Sequence, residues 1–430
     1  MTSRPASAVP ADVVSAGDYE RHARSRLPAD VWSYIAGAGA DGLSQRWNRE
    51  AFDRLQLSGR VLADMRQATT ASTLFGEALA FPIMIAPVAY HKLAHPEGEQ
   101  ATVLGASACS AWMTISTLSS VTIEVIAAQA QTILWFQLYI QEDRESTLKL
   151  VRRAEAAGCK AIIVTVDAPV NGVRNDEQRS GFQLARHVRP ANLGDASVPV
   201  SRAGPGESPV FKGLLDNAPT WADIAWLRAQ TRLPMLLKGI MHPADAERAL
   251  SEGADGIIVS NHGGRTLDTL PASIEALEAV AARVGNRVPL LMDGGIRRGS
   301  DVLKAIALGA RAVMIGQPIM HALAVAGAVG VVHLLAILRA ELEVAMALTG
   351  CASLAHIDRG ILWNHTKSQS GFLRVTGLKF RSGPLPCRLR RSPACAFAHR
   401  AALRYKPMQP RRCQKRRAFL LRREARCSTA

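Results

Sequence analysis

Several short stretches bring together residue types that could do chemistry. Ser260-Asn261-His262-Gly263-Gly264-Arg265 sets an imidazole three residues from a guanidinium, with two glycines between them. A lone His is more often structural. This one has a carboxylate available in Thr165-Val166-Asp167, and a carboxylate–imidazole pair fixes the tautomer that a general base requires. Asp293-Gly294-Gly295-Ile296-Arg297-Arg298-Gly299, leading into Ser300, and the later Ile315-Gly316 carry a phosphate signature. Glycines let backbone N–H groups approach phosphate oxygens, a helix N-terminus adds its dipole, and Arg297 or Arg298 can bond the anion. The plainer alternative is that these glycines only make a tight turn. Lys238 closes an apolar run, where a buried ammonium needs an anionic partner, either a Schiff-base substrate or a cofactor that becomes negative. No metal-ligand spacing is present, and no metal is expected.

These residues stand at the ends of apolar runs. Eight runs read as parallel strands buried on both faces: Phe81–Ala86, Trp112–Ser116, Ile133–Leu138, Ala161–Val166, Pro234–Lys238, Gly256–Ser260, Val288–Asp293 and Ala312–Gly316. Helical patterns separate them. Ser273–Val284 places Ile274, Leu277, Val280 and Val284 on one face, with Ser273 as cap and Gly285 as stop, and Ser300–Leu308 repeats the form before Gly309. Gly158, Gly253, Gly285 and Gly309 each precede the next run by three residues, a repeated αβ loop. Eight βα units predict a TIM (β/α)8 barrel rather than an open sheet, and the polar groups at the strand ends then lie on its catalytic face. The fourth and fifth runs are about 70 residues apart, and the Gly/Pro/Ser-rich gap predicts a lid-like insertion over about 175–220. Its plainer reading is a solvated insertion. Residues 1–75 are expected to be largely helical, with a run from Leu27 to Phe52 that ends near a Gly/Ala-rich break.

The net charge of +16 invites a nucleic-acid or anionic-surface reading until it is located. Residues 364–430 hold 18 Lys/Arg against the single acid Glu424, whereas residues 1–363 hold 34 against 35 Asp/Glu. The body is thus near neutral, with no basic stripe. Cys109, Cys159 and Cys351 lie in the body in packing contexts, and Cys387, Cys395, Cys413 and Cys427 in the tail lack paired spacing, so a reducing, cytoplasmic setting is expected. No run approaches the roughly 20 apolar residues of a membrane span, and neither a span nor a secretory leader is expected.

Ile85-Ala86-Pro87, His95-Pro96-Glu97-Gly98, Phe136-Gln137-Leu138-Tyr139, Thr165-Val166-Asp167, Leu237-Lys238-Gly239, Ser260-Asn261-His262-Gly263 and Asp293–Gly299 together resemble the FMN-dependent α-hydroxy acid oxidase/dehydrogenase family, which includes glycolate and lactate oxidases. The resemblance runs from about Asp18 to Trp363 and implies FMN at the barrel mouth. Pro87, Val88 and Ala89 would contact the isoalloxazine through backbone, with Ser116, Gln137 and Thr165 bonding ring atoms. Lys238 would lie near N1 and favour the reduced ring, and Ser260 would assist at the ribityl side. Asp293, Gly294, Gly295, Arg297, Gly316 and Gln317 would hold ribityl and phosphate. Arg174 and Arg265 would grip a substrate carboxylate with help from Tyr34, Tyr139 would bond the substrate oxygen, and His262, oriented by Asp167, would take a proton. The implied reaction is oxidation of an (S)-2-hydroxy acid to the 2-oxo acid. Oxygen is the expected acceptor, with a quinone-type acceptor as in the dehydrogenases the alternative. A homotetramer or octamer is implied as well.

Two positions depart from the family pattern. Gly316-Gln317-Pro318 stands where Gly-Arg-Pro is usual, and Leu118 stands where glycolate oxidase carries a Trp against the substrate. The first removes a charge from the phosphate site, and the second opens room for a substrate bulkier than glycolate. Ala89 fits an oxidase, some dehydrogenases having Gly. A non-redox phosphate-binding barrel is a rival that the coexistence of Tyr34, Tyr139, Arg174, His262 and Arg265 opposes. A nucleic-acid-binding protein is another, resting on the tail alone. Nothing suggests NAD, since G-x-G-x-x-G is absent. The tail has no counterpart in the family and reads as a non-native extension, the alternatives being a real electrostatic arm and an oligomer contact. Deleting residues 364–430 should therefore leave flavin content and turnover intact, and loss of flavin on truncation would contradict this.

Overall fold

A computed structural model describes residues 8–194, 203–204 and 206–363. The basic segment and its four cysteines lie outside them. The N-terminal helices are α1 (Ala16–Arg26), α2 (Ala29–Ala36) and α3 (Leu43–Arg54), followed by β1 (Ser72–Leu74) and β2 (Glu77–Leu79). Then come β3 (Ile83–Ile85), α4 (Glu99–Ala108), β4 (Met113–Ser116), α5 (Ile123–Gln129), β5 (Leu134–Leu138), α6 (Arg144–Ala156) and β6 (Ile162–Thr165). After α7 (Asn175–Ser180) and α8 (Trp221–Arg228) follow β7 (Met235–Ile240), α9 (Pro243–Ser251), β8 (Gly256–Val259), α10 (Ser273–Val284), β9 (Leu290–Met292), α11 (Gly299–Ala307), β10 (Ala312–Ile315) and α12 (Gln317–Thr349).

Strands β3 to β10 close into a parallel barrel, β10 pairing with both β9 and β3. Each expected run contributes one strand. Alternation along the strands divides the core into two. Met84, Trp135, Ile163, Leu236, Ile258, Leu291 and Met314 form the inner cluster, while Ile83, Ile85, Phe136, Val164, Leu237, Val259 and Ile315 pack in the outer cluster with the helices. Helix ends follow the repeated glycines, with Gly158, Gly253, Gly285 and Gly309 all at positive φ.

Five local expectations need correction. The Leu27–Phe52 run is two helices, because the Gly/Ala-rich break falls inside it, between α2 and α3. The first 75 residues are not all helix or coil: β1 and β2 form a hairpin around Phe75-Gly76, both at positive φ, as a two-residue hairpin turn requires. Its Leu74 and Leu79 belong to the inner cluster, and Phe75 lies 5.9 Å from Trp135. Ser273 does not cap α10; Asn48 Oδ1, from α3, accepts its N–H at 3.0 Å, and the Ser273 hydroxyl accepts the Asn261 N–H. Helix α11 starts at Gly299 rather than Ser300, with Asp301 accepting the N–H groups of Arg297 and Arg298, each at 3.0 Å. Finally, α12 is long and apolar enough to cross a membrane by length and composition. Its most apolar window is 67% buried here, and the helix breaks at Ala326-Gly327 while packing on α1, α4 and α11.

His321, on the first part of α12, is buried against Trp32 of α2, with ring centroids 5.3 Å apart and planes 19° from parallel. Both its ring nitrogens lack partners. Burial, with Arg297 adding repulsion, pushes its pKa down to about 3. The native state therefore refuses a proton that the unfolded chain accepts below about pH 6.5. This contribution to stability is full above that pH and is lost as pH falls toward 3. His321→Phe keeps the stacked ring without the titration, so its urea midpoint should fall less than the wild type's between pH 7 and pH 5. Equal falls in the two proteins would count against this account.

Candidate active site

The C-terminal ends of the barrel strands and helices α1 to α3 enclose a cavity of about 660 Å³, within the range of small-molecule sites. Toward the C-terminal end of β7 the buried Lys238 lines it, its ammonium 3.0 Å from Asp293 Oδ2 and 2.9 Å from Ser260 Oγ. Burial alone would lower the lysine pKa, but Asp293 and Asp167 outweigh it and hold the value above its ordinary range. The two carboxylates therefore favour the charged ammonium. Gly239, next in the chain, sits at φ +108 where β7 shifts register against β8. A Cβ there would lie 2.4 Å from that of Asp167, so only glycine lets this carboxylate in.

Asp167 Oδ1 lies 3.0 Å from His262 Nδ1. Burial pushes the Asp167 pKa up, yet His262 and Lys238 together pull it below the usual carboxylate value. The carboxylate is thus ionised and fixes the imidazole, whose own residue sits at φ +56. Tyr34 reaches the cavity from α2, stacked on Phe182 at 4.6 Å and under the Arg265 guanidinium at 5.4 Å. Burial raises the pKa values of Tyr34 and Tyr139, keeping both phenols protonated.

Tyr34, Pro87, Val88, Ala89, Ser116, Gln137, Tyr139, Thr165, Arg174, Lys238, His262 and Arg265 all line this one cavity, as do Asp293, Gly294, Gly295, Arg297, Gly316 and Gln317. Three residues singled out from the sequence do not: Arg298, offered with Arg297 as an anion donor, turns away to Glu341 at 2.7 Å, and the other two are Asp167 and Ser260. Asp167 stands behind His262, and Ser260 lies a layer deeper than a cofactor contact, its hydroxyl shared by Lys238 and the His262 N–H. The phosphate end also differs from the expectation of a helix dipole from α11. The first amide of that helix, Gly299 N–H, is taken by Glu341, and the Arg297 and Arg298 amides leading into it by Asp301, and none of α11 lines the cavity. The helix that opens on the cavity is α12, whose first residues Gln317 and Pro318 line it.

The residues fit an FMN. Gln137 Nε2 and Asp293 Oδ1 are buried without partners, as a ring and a ribityl chain would leave them. Gly294 and Gly295, at φ +94 and +80, are pressed from behind by Asn48, so their backbone is free of side chains toward the cavity. Sequence reasoning missed Asn48, which exchanges two 2.9 Å amide bonds with Asn261, and Glu177, Tyr90 and Phe182 on the substrate side. Glu177 had one local signal, a carboxylate three residues after Arg174.

A parallel eight-stranded barrel with a glycine-lined anion end, a buried lysine and an Asp–His pair facing two arginines defines a flavin-mononucleotide oxidoreductase. The chain belongs to the FMN-dependent dehydrogenase family, whose model matches residues 23–364. It is 44% identical to an L-lactate oxidase of Alicycliphilus denitrificans, over 83% of this chain and 98% of that protein. It is 42% identical to glycolate oxidase 3 of Oryza sativa subsp. indica, over 85% and 99%. Among solved structures, mandelate oxidase with (S)-2-phenylpropionate matches at 44% identity with a TM-score of 0.74, over 80% of this chain and 97% of that one.

Arg297 lines the anion end, but its Nη2 donates to Gln317 Oε1 at 2.5 Å, and Gln317 in turn donates to the Ile35 carbonyl. A second guanidinium at position 317 would add a charged donor to that end. Gln317→Arg should tighten FMN roughly tenfold, read by quenching of flavin fluorescence on titration of apoprotein. An unchanged dissociation constant would refute this.

Proposed function

We propose that the protein oxidises an (S)-2-hydroxy acid to the 2-oxo acid, with oxygen as the electron acceptor and hydrogen peroxide as the second product. The observation that carries the reading is His262, held by Asp167 at 3.0 Å from behind and lining one cavity with Arg174, Arg265 and Tyr34. When bound, FMN supplies the two-electron acceptor, and Lys238 offers its ring a fixed positive charge. Arg174 and Arg265 hold the substrate carboxylate, and Tyr34 adds a hydroxyl. Tyr139 bonds the substrate oxygen. His262 takes the proton, stabilised as imidazolium by Asp167. The three oxidases named above and Ala89 support oxygen over a quinone.

Leu118 lines the same cavity, and its small aliphatic side chain supports a substrate larger than glycolate. A cytoplasmic homotetramer completes the proposal. All three cysteines among the described residues are free, and Val344 and Leu348 expose an apolar strip one turn apart on α12, available for subunit contact.

The test is a panel of glycolate, L-lactate and L-mandelate, with sedimentation of the same preparation for subunit number. The yellow protein should bleach anaerobically and release one peroxide per turnover in air. L-lactate or L-mandelate should exceed glycolate in kcat/KM. If none of the three bleaches the flavin, the reaction assigned here is wrong.

A further inference from the structure

Glu177 lines the cavity but has no part in the steps above. Its Oε1 lies 3.4 Å from Arg174 Nη1 and 3.2 Å from Arg265 Nη2, so one carboxylate oxygen serves two guanidinium groups. The two arginines come from different loops, those following β6 and β8, and repel one another. Burial and the Arg174 charge push the Arg265 pKa down to about 10, and Glu177 acts in the opposite direction. The carboxylate takes only part of their donor capacity. Arg174 Nε remains buried without a partner, and the other Arg265 amino group is bound to the Gly37 carbonyl.

The position of Glu177 is itself fixed. Helix α7 is tied to α2 and the turn after it by Asn175 Nδ2 on the Ala40 carbonyl at 3.2 Å and by a 2.5 Å contact between the Ser180 and Ser33 hydroxyls. Gly181, at φ +65, then turns the chain so that Phe182 stacks on Tyr34. The carboxylate therefore stands on a braced element that also buttresses Tyr34.

We infer that Glu177 is a positioning residue of the substrate-carboxylate site, a shared counter-ion that holds Arg174 and Arg265 side by side with their remaining donors free for an incoming anion. The inference rests on the function proposed above. Two like charges can be presented to one substrate carboxylate only if something else keeps them together before it arrives. A carboxylate in this position could instead compete with the substrate, and the two roles have opposite signs on removal.

The test uses the flavin-loaded enzyme and its Glu177→Gln and Glu177→Asp variants. Oxalate, a dianion offering a carboxylate beside a second oxygen group, is titrated against the flavin absorbance, and steady-state kinetics are measured with the best acid of the panel and with its neutral 2-hydroxy amide. Glu177→Gln should weaken oxalate and raise the KM of the acid about tenfold or more, with a smaller change in kcat. Glu177→Asp should recover most of the loss. Any turnover of the amide, which offers no carboxylate, should keep its KM. An oxalate affinity that is unchanged or tighter in Glu177→Gln overturns the inference. Should that variant lose its flavin, Glu177→Ala is read by the same titration with the same two outcomes. If the wild type neither binds oxalate nor is reduced by any acid of the panel, the proposed function fails, and the failure does not belong to Glu177.

Discussion

The positive charge buried at the end of β7 dictates what surrounds it. An ammonium withdrawn from water needs compensation from every side, and Lys238 draws Asp293 from the end of β9, Ser260 from β8 and the field of Asp167 from β6. Four neighbouring strand ends are thereby drawn to one point. Asp167 gains from the same arrangement. It stays ionised despite burial because a lysine and a histidine face it, and it can approach so closely because Gly239 has no side chain. The Asp167–His262 pair and Lys238 thus share one balance of charge.

A second layer of polar contacts connects this centre to the helices outside the barrel. Asn48 of α3 bonds Asn261 and the first amide of α10, and its backbone lies against Gly295. Arg49, next in sequence, donates to the Gly295 carbonyl at 2.8 Å and to both oxygens of the buried Asp301. The glycine loop is thus gripped from behind by one turn of an N-terminal helix. Arg49 also ties this grip to α11 through Asp301, the carboxylate that accepts the Arg297 and Arg298 amides.

The barrel was legible because its signals are local: apolar runs of strand length, glycines at fixed offsets, and a polar residue at nearly every run's end. So were the cavity residues, since a (β/α)8 barrel converts strand-end position directly into shared location. What escaped was non-local or very short. The hairpin strands have three residues each, too few for a period to show. The cap on α10 comes from a side chain on α3, which no reading of Ser273 and its neighbours would find. Ser260 lies behind the cavity wall because its hydroxyl is taken up by Lys238 and the His262 N–H, a partnership that the sequence does not display. Helix α12 was missed as a long apolar element because small residues and one break disguise its length.

Sequence distance gives the grip of α3 on the glycine loop a temporal meaning. Asn48 and Asn261 are 213 residues apart, and Arg49 and its Gly295 carbonyl 246. A ribosome adding residues in order presents α3 early and its partners only after β8 and β9 have emerged. The grip of α3 on the glycine loop is therefore a long-range closure, whose loop-closure cost the local strand–helix units do not bear.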